Sequence, residues 1–131
     1  MSNNVLLVED DNAIATVIRA ALEDEGLSVD TCDTVACRDE SLSERQYSVM
    51  LTDVLLLDGD GIETLGAVRD NYPDMPVIIL SAQNTLDTAV RATERGAFEF
   101  FPKPFDLDEL VRATLQAVQS RSVSAGDDGD T

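Results

Sequence analysis

Four places along this 131-residue chain carry side chains that could do chemistry together. Glu9-Asp10-Asp11 follows the apolar run from Val5 to Val8, and Asp53 ends the run that starts at Ser48. Ser81-Ala82 closes the run from Val77, and Lys103 stands in the stretch Glu99-Phe100-Phe101-Pro102-Lys103-Pro104-Phe105-Asp106. Lys103 is the only lysine, in a chain with 26 acidic and nine basic residues. A solubilising lysine belongs on an exposed helix face, a task the arginines can serve. An ammonium group fixed between two prolines and three phenylalanines is a placed charge that needs a negative partner. Carboxylates about 4 Å apart repel by roughly 4 kcal/mol at an effective dielectric near 20. Unless paired, they protonate or recruit a cation. Oxygen donors without histidine or cysteine suit a hard ion, Mg2+ or Mn2+, rather than zinc. Mg2+ keeps several waters and leaves room for a phosphate oxygen. Lys103 could hold a second such oxygen, and Ser81 could donate a hydrogen bond to a third.

These residues work together only if the fold brings them to one place. Val5–Val8 is continuously apolar, the mark of a strand covered on both faces. A helix fits from Asn12, with Ile14, Val17, Ile18, Ala21 and Leu22 on its inner face and Gly26 as its stop. Leu27–Cys32 alternates as a second strand, and Thr34–Arg45 reads as a polar, weakly amphipathic helix. Ser48–Thr52 is a third strand. Gly61–Tyr72 reads as a helix with Ile62, Leu65 and Val68 inward, and Pro73 closes it. Pro76 opens a very apolar fourth strand. Thr85–Arg95 is a helix stopped by Gly96, and Phe98–Phe101 is a fifth strand. Asp106 and Glu109 form a capping box for a last helix reaching about Val118. Five strands alternating with five helices imply a parallel sheet covered on both faces. Ligands bind such sheets at the carboxyl ends of the strands, where all four places fall.

Each part also has a simpler reading. Glu9-Asp10-Asp11 could serve only to cap a helix and complement its dipole. Asp53 could be a turn residue, Ser81 a strand-end hydroxyl, and Lys103 the partner of any nearby acid. Together at parallel strand ends they favour a phosphoryl site. Phe98, Phe101 and Phe105 read as core packing.

Composition narrows the classes further. The formal charge of −17 argues against a nucleic-acid or anionic-membrane surface, which needs clustered Lys and Arg. Cys32 and Cys37 match no zinc pattern and read as buried or half-buried apolar groups in a reducing compartment. The start lacks the basic region of a signal peptide, and no segment approaches a membrane span. These features point to a cytoplasmic protein. The stretch from Ser120 to Thr131 lacks apolar periodicity and reads as a disordered tail or linker. The expected division is a folded domain over 1–119 and a polar tail over 120–131.

The motifs Leu6-Leu7-Val8-Glu9-Asp10-Asp11, Leu51-Thr52-Asp53, Val77-Ile78-Ile79-Leu80-Ser81-Ala82 and Phe100-Phe101-Pro102-Lys103-Pro104-Phe105, in that order, resemble the receiver domain of two-component response regulators. The stretch from Pro76 to Leu110 is most similar to receivers of NtrC-type, sigma-54-dependent activators. The resemblance implies a flavodoxin-like (CheY-like) doubly wound α/β/α fold, its five-stranded parallel sheet in the order 2-1-3-4-5. It implies Asp53 as the phosphoacceptor, taking a phosphoryl group from a sensor histidine kinase. Mg2+ (or Mn2+) would be held by Asp10, by Glu9 through water, by Asp53 and by the backbone carbonyl of Leu55, with Asp11 a further candidate. Lys103, Ser81 and Ala82 would contact the phosphoryl group, Ser81 and Phe100 would form the conformational switch, and Pro104 would follow a cis peptide bond.

The implied role is regulatory rather than enzymatic: the domain assists only its own phosphorylation and dephosphorylation. Output ATPase and DNA-binding domains would follow it, with a homodimer as one output state and no nucleic-acid contact by the receiver itself. A stand-alone receiver relaying phosphoryl groups or docking on a target is the alternative. One departure is Leu57, where the family commonly has proline. With Asp58-Gly59-Asp60-Gly61 after it, the loop is expected to be looser, and Asp58 and Asp60 read as turn formers. An aspartyl phosphatase would need a second aspartate where Leu55 stands. A flavodoxin-type carrier would need a phosphate-binding loop where this chain has three acids.

Overall fold

The computed structural model describes residues 3–56, 59–60, 64–81, 86–94 and 96–127, apart from the side chains of 55–56, 59–60 and 120–127. Five long strands, β1 (Asn4–Val8), β2 (Ser28–Cys32), β3 (Val49–Asp53), β6 (Val77–Ser81) and β7 (Glu99–Pro102), form one sheet. Every pairing in it is parallel and the order is β2-β1-β3-β6-β7, the expected 2-1-3-4-5 when only long strands are counted. A short antiparallel hairpin, β4 (Leu55–Leu56) with β5 (Gly59–Asp60), lies just after β3. The helices are α1 (Asn12–Asp24), α2 (Val35–Glu44), α3 (Leu65–Asn71), α4 (Leu86–Glu94) and α5 (Leu107–Asp127).

The continuous apolar runs have a direct cause. Successive strand residues face opposite sides, and each side here has its own helices. Val5, Leu7, Val49, Leu51, Ile78 and Leu80 pack with residues of α1 and α5 in one cluster. Leu6, Val8, Met50, Val77 and Ile79 pack with residues of α2, α3 and α4 in the other. Strands buried on both faces leave only their ends to carry polar groups, and the site is built there.

Several expectations need correction. Val17 is 53% exposed, and Ala15 takes its place in the core with Ile18 and Leu22. Helical period fixes a face, but the edge of that face depends on how the helix rolls against the sheet. Phe98 is 40% exposed: it precedes β7, outside the packed layer, while Phe101 and Phe105 pack against the core. Cys32 and Cys37 form a disulfide rather than two separate apolar groups. The chain folds back between the end of β2 and the first turn of α2, bringing their Cα atoms to 5.6 Å, within disulfide reach.

Helix α5 runs to Asp127, past the expected end near Val118, because backbone hydrogen bonding can continue after the apolar stripe stops. Its start agrees with the sequence: Asp106 Oδ1 accepts the N–H groups of Asp108 and Glu109. Ile62, Thr85 and Arg95 lie outside the described residues, while Leu65 and Val68 of α3 are buried as expected. Among the described residues no helix is long and apolar enough to cross a membrane.

Candidate functional site

Strand register carries the site residues to one edge of the sheet. Val8 pairs with Thr52, Asp53 with Leu80, and Ser81 with Pro102, so Glu9, Asp53, Ser81 and Lys103 emerge side by side. Backbone bonds fix those ends: Glu9 N–H donates to the Cys32 carbonyl at 2.8 Å, and Lys103 N–H donates to the Ser81 carbonyl at 2.6 Å. The Lys103–Pro104 peptide is cis.

Lys103 Nζ donates to Glu9 Oε1 at 2.8 Å and to Asp53 Oδ2 at 3.1 Å. The partners of the sole lysine are therefore two of the carboxylates picked out in the sequence. Asp53 Oδ1 accepts the N–H of Val54 at 2.7 Å, and Glu9 Oε2 accepts the N–H of Asp11 at 3.2 Å. Glu9, Asp10 and Asp53 each offer an oxygen within 4.8 Å of the others. Glu9 is 2% exposed and Asp53 7%, whereas Asp10 is open to solvent.

Three carboxylates cluster beside one ammonium, which bonds two of them, and the electrostatics reflect that surplus. Burial pushes Glu9 up to about 7; the Asp53 charge adds to this, and the Lys103 bond opposes it without offsetting it. Burial works against a charged Lys103, yet its bond to Glu9 and the charge of Asp53 raise its pKa above the ordinary value. Both shifts have one meaning: the pocket attracts protons or cations. An all-oxygen donor set this compact and this acidic fits a hard divalent ion such as Mg2+.

The remaining candidates divide. Ser81 is fully buried at the end of β6. Phe100 is half-buried against the α2–α3–α4 cluster. Leu55 lies in β4, close after Asp53 in the chain. Asp11 stands outside the carboxylate cluster: its Oδ1 accepts the N–H groups of Ala13 and Ile14 and caps α1. The capping reading holds for Asp11, and Glu9 and Asp10 are the acids that join Asp53. Ala82, Leu57 and Asp58 lie outside the described residues, as does the side chain of Asp60.

One buried ionic group escaped the sequence reading. Arg38, in the polar helix α2, is 1% exposed, and its Nη1 donates to Thr64 Oγ1 at 2.7 Å. The available signal was weak: Val35, Arg38 and Leu42 share one helical face, and Leu42 is buried.

The fold is a doubly wound parallel sheet with a carboxylate cluster and a bridging lysine at its strand ends. Residues 5–115 match the response regulator receiver domain, and the chain belongs to that family. It is 40% identical to the DNA-binding transcriptional regulator NtrC of Azospirillum brasilense over 121 residues, which cover 92% of this chain and 25% of that protein. The chain thus spans about a quarter of the length of this relative. The beryllofluoride-activated NtrC4 receiver domain dimer superposes with a TM-score of 0.85 at 33% identity, covering 90% of this chain and 98% of that one. A receiver domain protein (CheY-like) from Methanospirillum hungatei JF-1 shares the fold, with a TM-score of 0.89 at 23% identity, covering 95% and 99% of the two chains.

Proposed function

We propose that Asp53 accepts a phosphoryl group from the phosphohistidine of a sensor kinase. An Asp53 carboxylate oxygen attacks phosphorus, the O–P bond forms, the histidine N–P bond breaks, and the electron pair leaves with the imidazole. The carrying observation is Lys103 Nζ bridging Glu9 and Asp53 within the carboxylate cluster. Asp10, Glu9, Asp53 and the Leu55 carbonyl would hold Mg2+, which when bound supplies charge neutralisation at the phosphoryl oxygens. Lys103 pairs with one of those oxygens, Ser81 receives another, and the small Ala82 leaves the approach open. Positioning and electrostatics supply the rate, with no group on this chain needed to form a further covalent bond.

Incubation with acetyl phosphate and Mg2+, followed by intact-mass analysis, tests the reading. One phosphoryl adduct is expected on the wild type and none on Asp53→Asn. An adduct that survives in Asp53→Asn sends the reading back to another acceptor. Absence of both adduct and beryllofluoride binding in the wild type ends it.

Output follows from the added charge of about −1.5 to −2 on Asp53. Phe100 and Ser81 lie on the strands nearest α4, and repacking there alters the face formed by α4 and the start of β7. Leu86 and Val90 of α4 are exposed by 81% and 44%, and Phe98, just before β7, by 40%. Leu86 and Val90 are one helical turn apart and share a stripe. We assign this face to a phosphorylation-dependent homodimer. Leu86→Glu is expected to keep the phosphoryl adduct and lose the beryllofluoride-induced dimer in sedimentation; a dimer that persists places the contact elsewhere.

The greater length of the NtrC relative supports cytoplasmic ATPase and DNA-binding domains after residues 120–131, with 1–119 as the receiver unit. No nucleic-acid contact is assigned to the receiver.

A further inference from the structure

We infer that the Cys32–Cys37 disulfide is a reversible redox site that tunes the metal and phosphoryl site through the backbone of Glu9. The inference rests on the proposed Mg2+ role of Glu9 and adds a second input to the same site.

The location of the bond carries the argument. Cys32 is the last residue of β2 and pairs in register with Val8, and its carbonyl accepts the N–H of Glu9 at 2.8 Å. Glu9 in turn divides its carboxylate between Lys103 Nζ at 2.8 Å and the N–H of Asp11 at 3.2 Å. One hydrogen bond thus links a disulfide residue to an acid of the carboxylate cluster. β2 ends the sheet order beside β1, so its carboxyl end receives strand pairing on one side. The other support is the sulfur bridge to Cys37, in the first turn of α2. That helix is lightly seated: of its ten residues the buried ones are Arg38 and Leu42.

As a staple the bond contributes little. A separation of five residues closes a short loop, the kind in which a cross-link restricts the unfolded chain least. Disulfide-dependent folds are small domains without a sufficient core, whereas apolar clusters fill both faces of this sheet. In the reducing cytoplasm that the proposed function implies, a disulfide is usually transient or redox-sensing.

The two sulfurs are placed for exchange. Cys37 is half-buried and Cys32 buried, which makes Cys37 the more accessible of the two. Ser41 Oγ lies 3.3 Å from Cys32 Sγ and can donate to it, favouring a thiolate there. A glutathione-class thiolate attacks Cys37 Sγ, the Sγ–Sγ bond breaks, and its electron pair leaves on Cys32, which takes a proton from solvent. A second thiolate attacks the small thiol's sulfur in the mixed disulfide and releases Cys37, which is protonated in turn. Two small thiols become one disulfide, and the protein gains two electrons and two protons. Reduction detaches the end of β2 from α2 and loosens the hold on Glu9.

The test equilibrates metal-free wild type in glutathione buffers of graded oxidised-to-reduced ratio. Trapping with N-ethylmaleimide and intact mass read the thiol count, NMR reads the Glu9 amide, and calorimetry reads Mg2+ affinity. The chain, with its two cysteines, is expected to pass from no maleimide adduct to two, and the Glu9 amide to move with the same midpoint. The reduced form should bind Mg2+ about fivefold more weakly, the lower end for coupling between sites, and saturating Mg2+ should shift the redox equilibrium constant by the same factor. Cys37→Ser should keep the reduced-form affinity in every buffer. A bond that persists in excess reduced glutathione, thiols that stay free in excess oxidised glutathione, or a Glu9 amide and Mg2+ affinity identical in the two forms would each overturn the inference. If neither form binds Mg2+ while the Glu9 amide still follows the thiol count, the redox coupling to Glu9 stands and the proposed Mg2+ role fails.

Discussion

Replacing Lys103 with methionine is expected to slow phosphorylation by acetyl phosphate on the order of a hundredfold, the usual loss when a preorganised charge on the reacting group is removed. Lys103→Arg should fall between the variant and the wild type, because the charge remains but the compact ammonium does not. The same methionine variant should be less stable than wild type in EDTA. Lys103 Nζ is the ammonium that Glu9 and Asp53 share, at 2.8 and 3.1 Å, and Glu9 is almost fully buried. Breaking a buried pair from one side costs about 3–5 kcal/mol. Two features reduce the loss here to roughly half that range: Lys103 keeps some solvent contact, and Glu9, already pushed up to about 7, can take a proton. Mg2+ should restore part of the stability by replacing the missing positive charge. Thermal unfolding with and without Mg2+, beside adduct formation by mass, separates the two effects. Unchanged phosphorylation in Lys103→Met would mean that the lysine is only a counter-ion, and the phosphoryl-contact role would be withdrawn.

The architecture was legible because three strands are so apolar. Val5–Val8, Val49–Leu51 and Val77–Leu80 could be satisfied only by helices on both faces, which requires crossover connections and parallel pairing. From that single step the convergence of Glu9, Asp53, Ser81 and Lys103 follows, since parallel strands put all their carboxyl ends on one edge. What the sequence left open lies where packing, rather than pattern, decides. Asp11 follows Glu9 and Asp10 without a break, and nothing in composition separates it from them; the start of α1 does, by taking its carboxylate as a cap. Phe98 and Phe101 belong to one aromatic run, yet the first precedes the strand and the second lies within it.

Arg38 is the instructive miss. Arginine on a polar helix normally reads as a solvated charge, and no periodicity announces that a distant threonine will receive its guanidinium. The disulfide is similar: a five-residue spacing is neutral evidence, and the turn between β2 and α2 sets the Cα separation. Long-range polar contacts are properties of the assembled layers, while apolar runs are properties of the chain.

Asp10→Asn should invert the order of stability according to metal. In EDTA the variant is expected to be the more stable protein by about 1 kcal/mol, because one of three clustered carboxylates has lost its charge. Two unit charges 5 Å apart repel by roughly 3 kcal/mol at an effective dielectric of 20, and by less than 1 in bulk water. Asp10 faces solvent, which places the gain near the lower figure. With Mg2+ the balance reverses. A ligand at about 100 times its dissociation constant stabilises the folded state by about 2.7 kcal/mol, and a domain of this size shifts its midpoint by roughly 3–6 °C per kcal/mol. Wild type should therefore rise by about 10 °C at saturating Mg2+, while Asp10→Asn, lacking a full anionic donor, should hardly move. The unfolding curves of the two proteins exchange places between EDTA and Mg2+. An acid that merely complemented the dipole of α1 would lose stability on neutralisation in both conditions and show no exchange. Equal Mg2+ shifts in the two proteins would remove Asp10 from the metal site and leave Glu9 and Asp53 as its carboxylates.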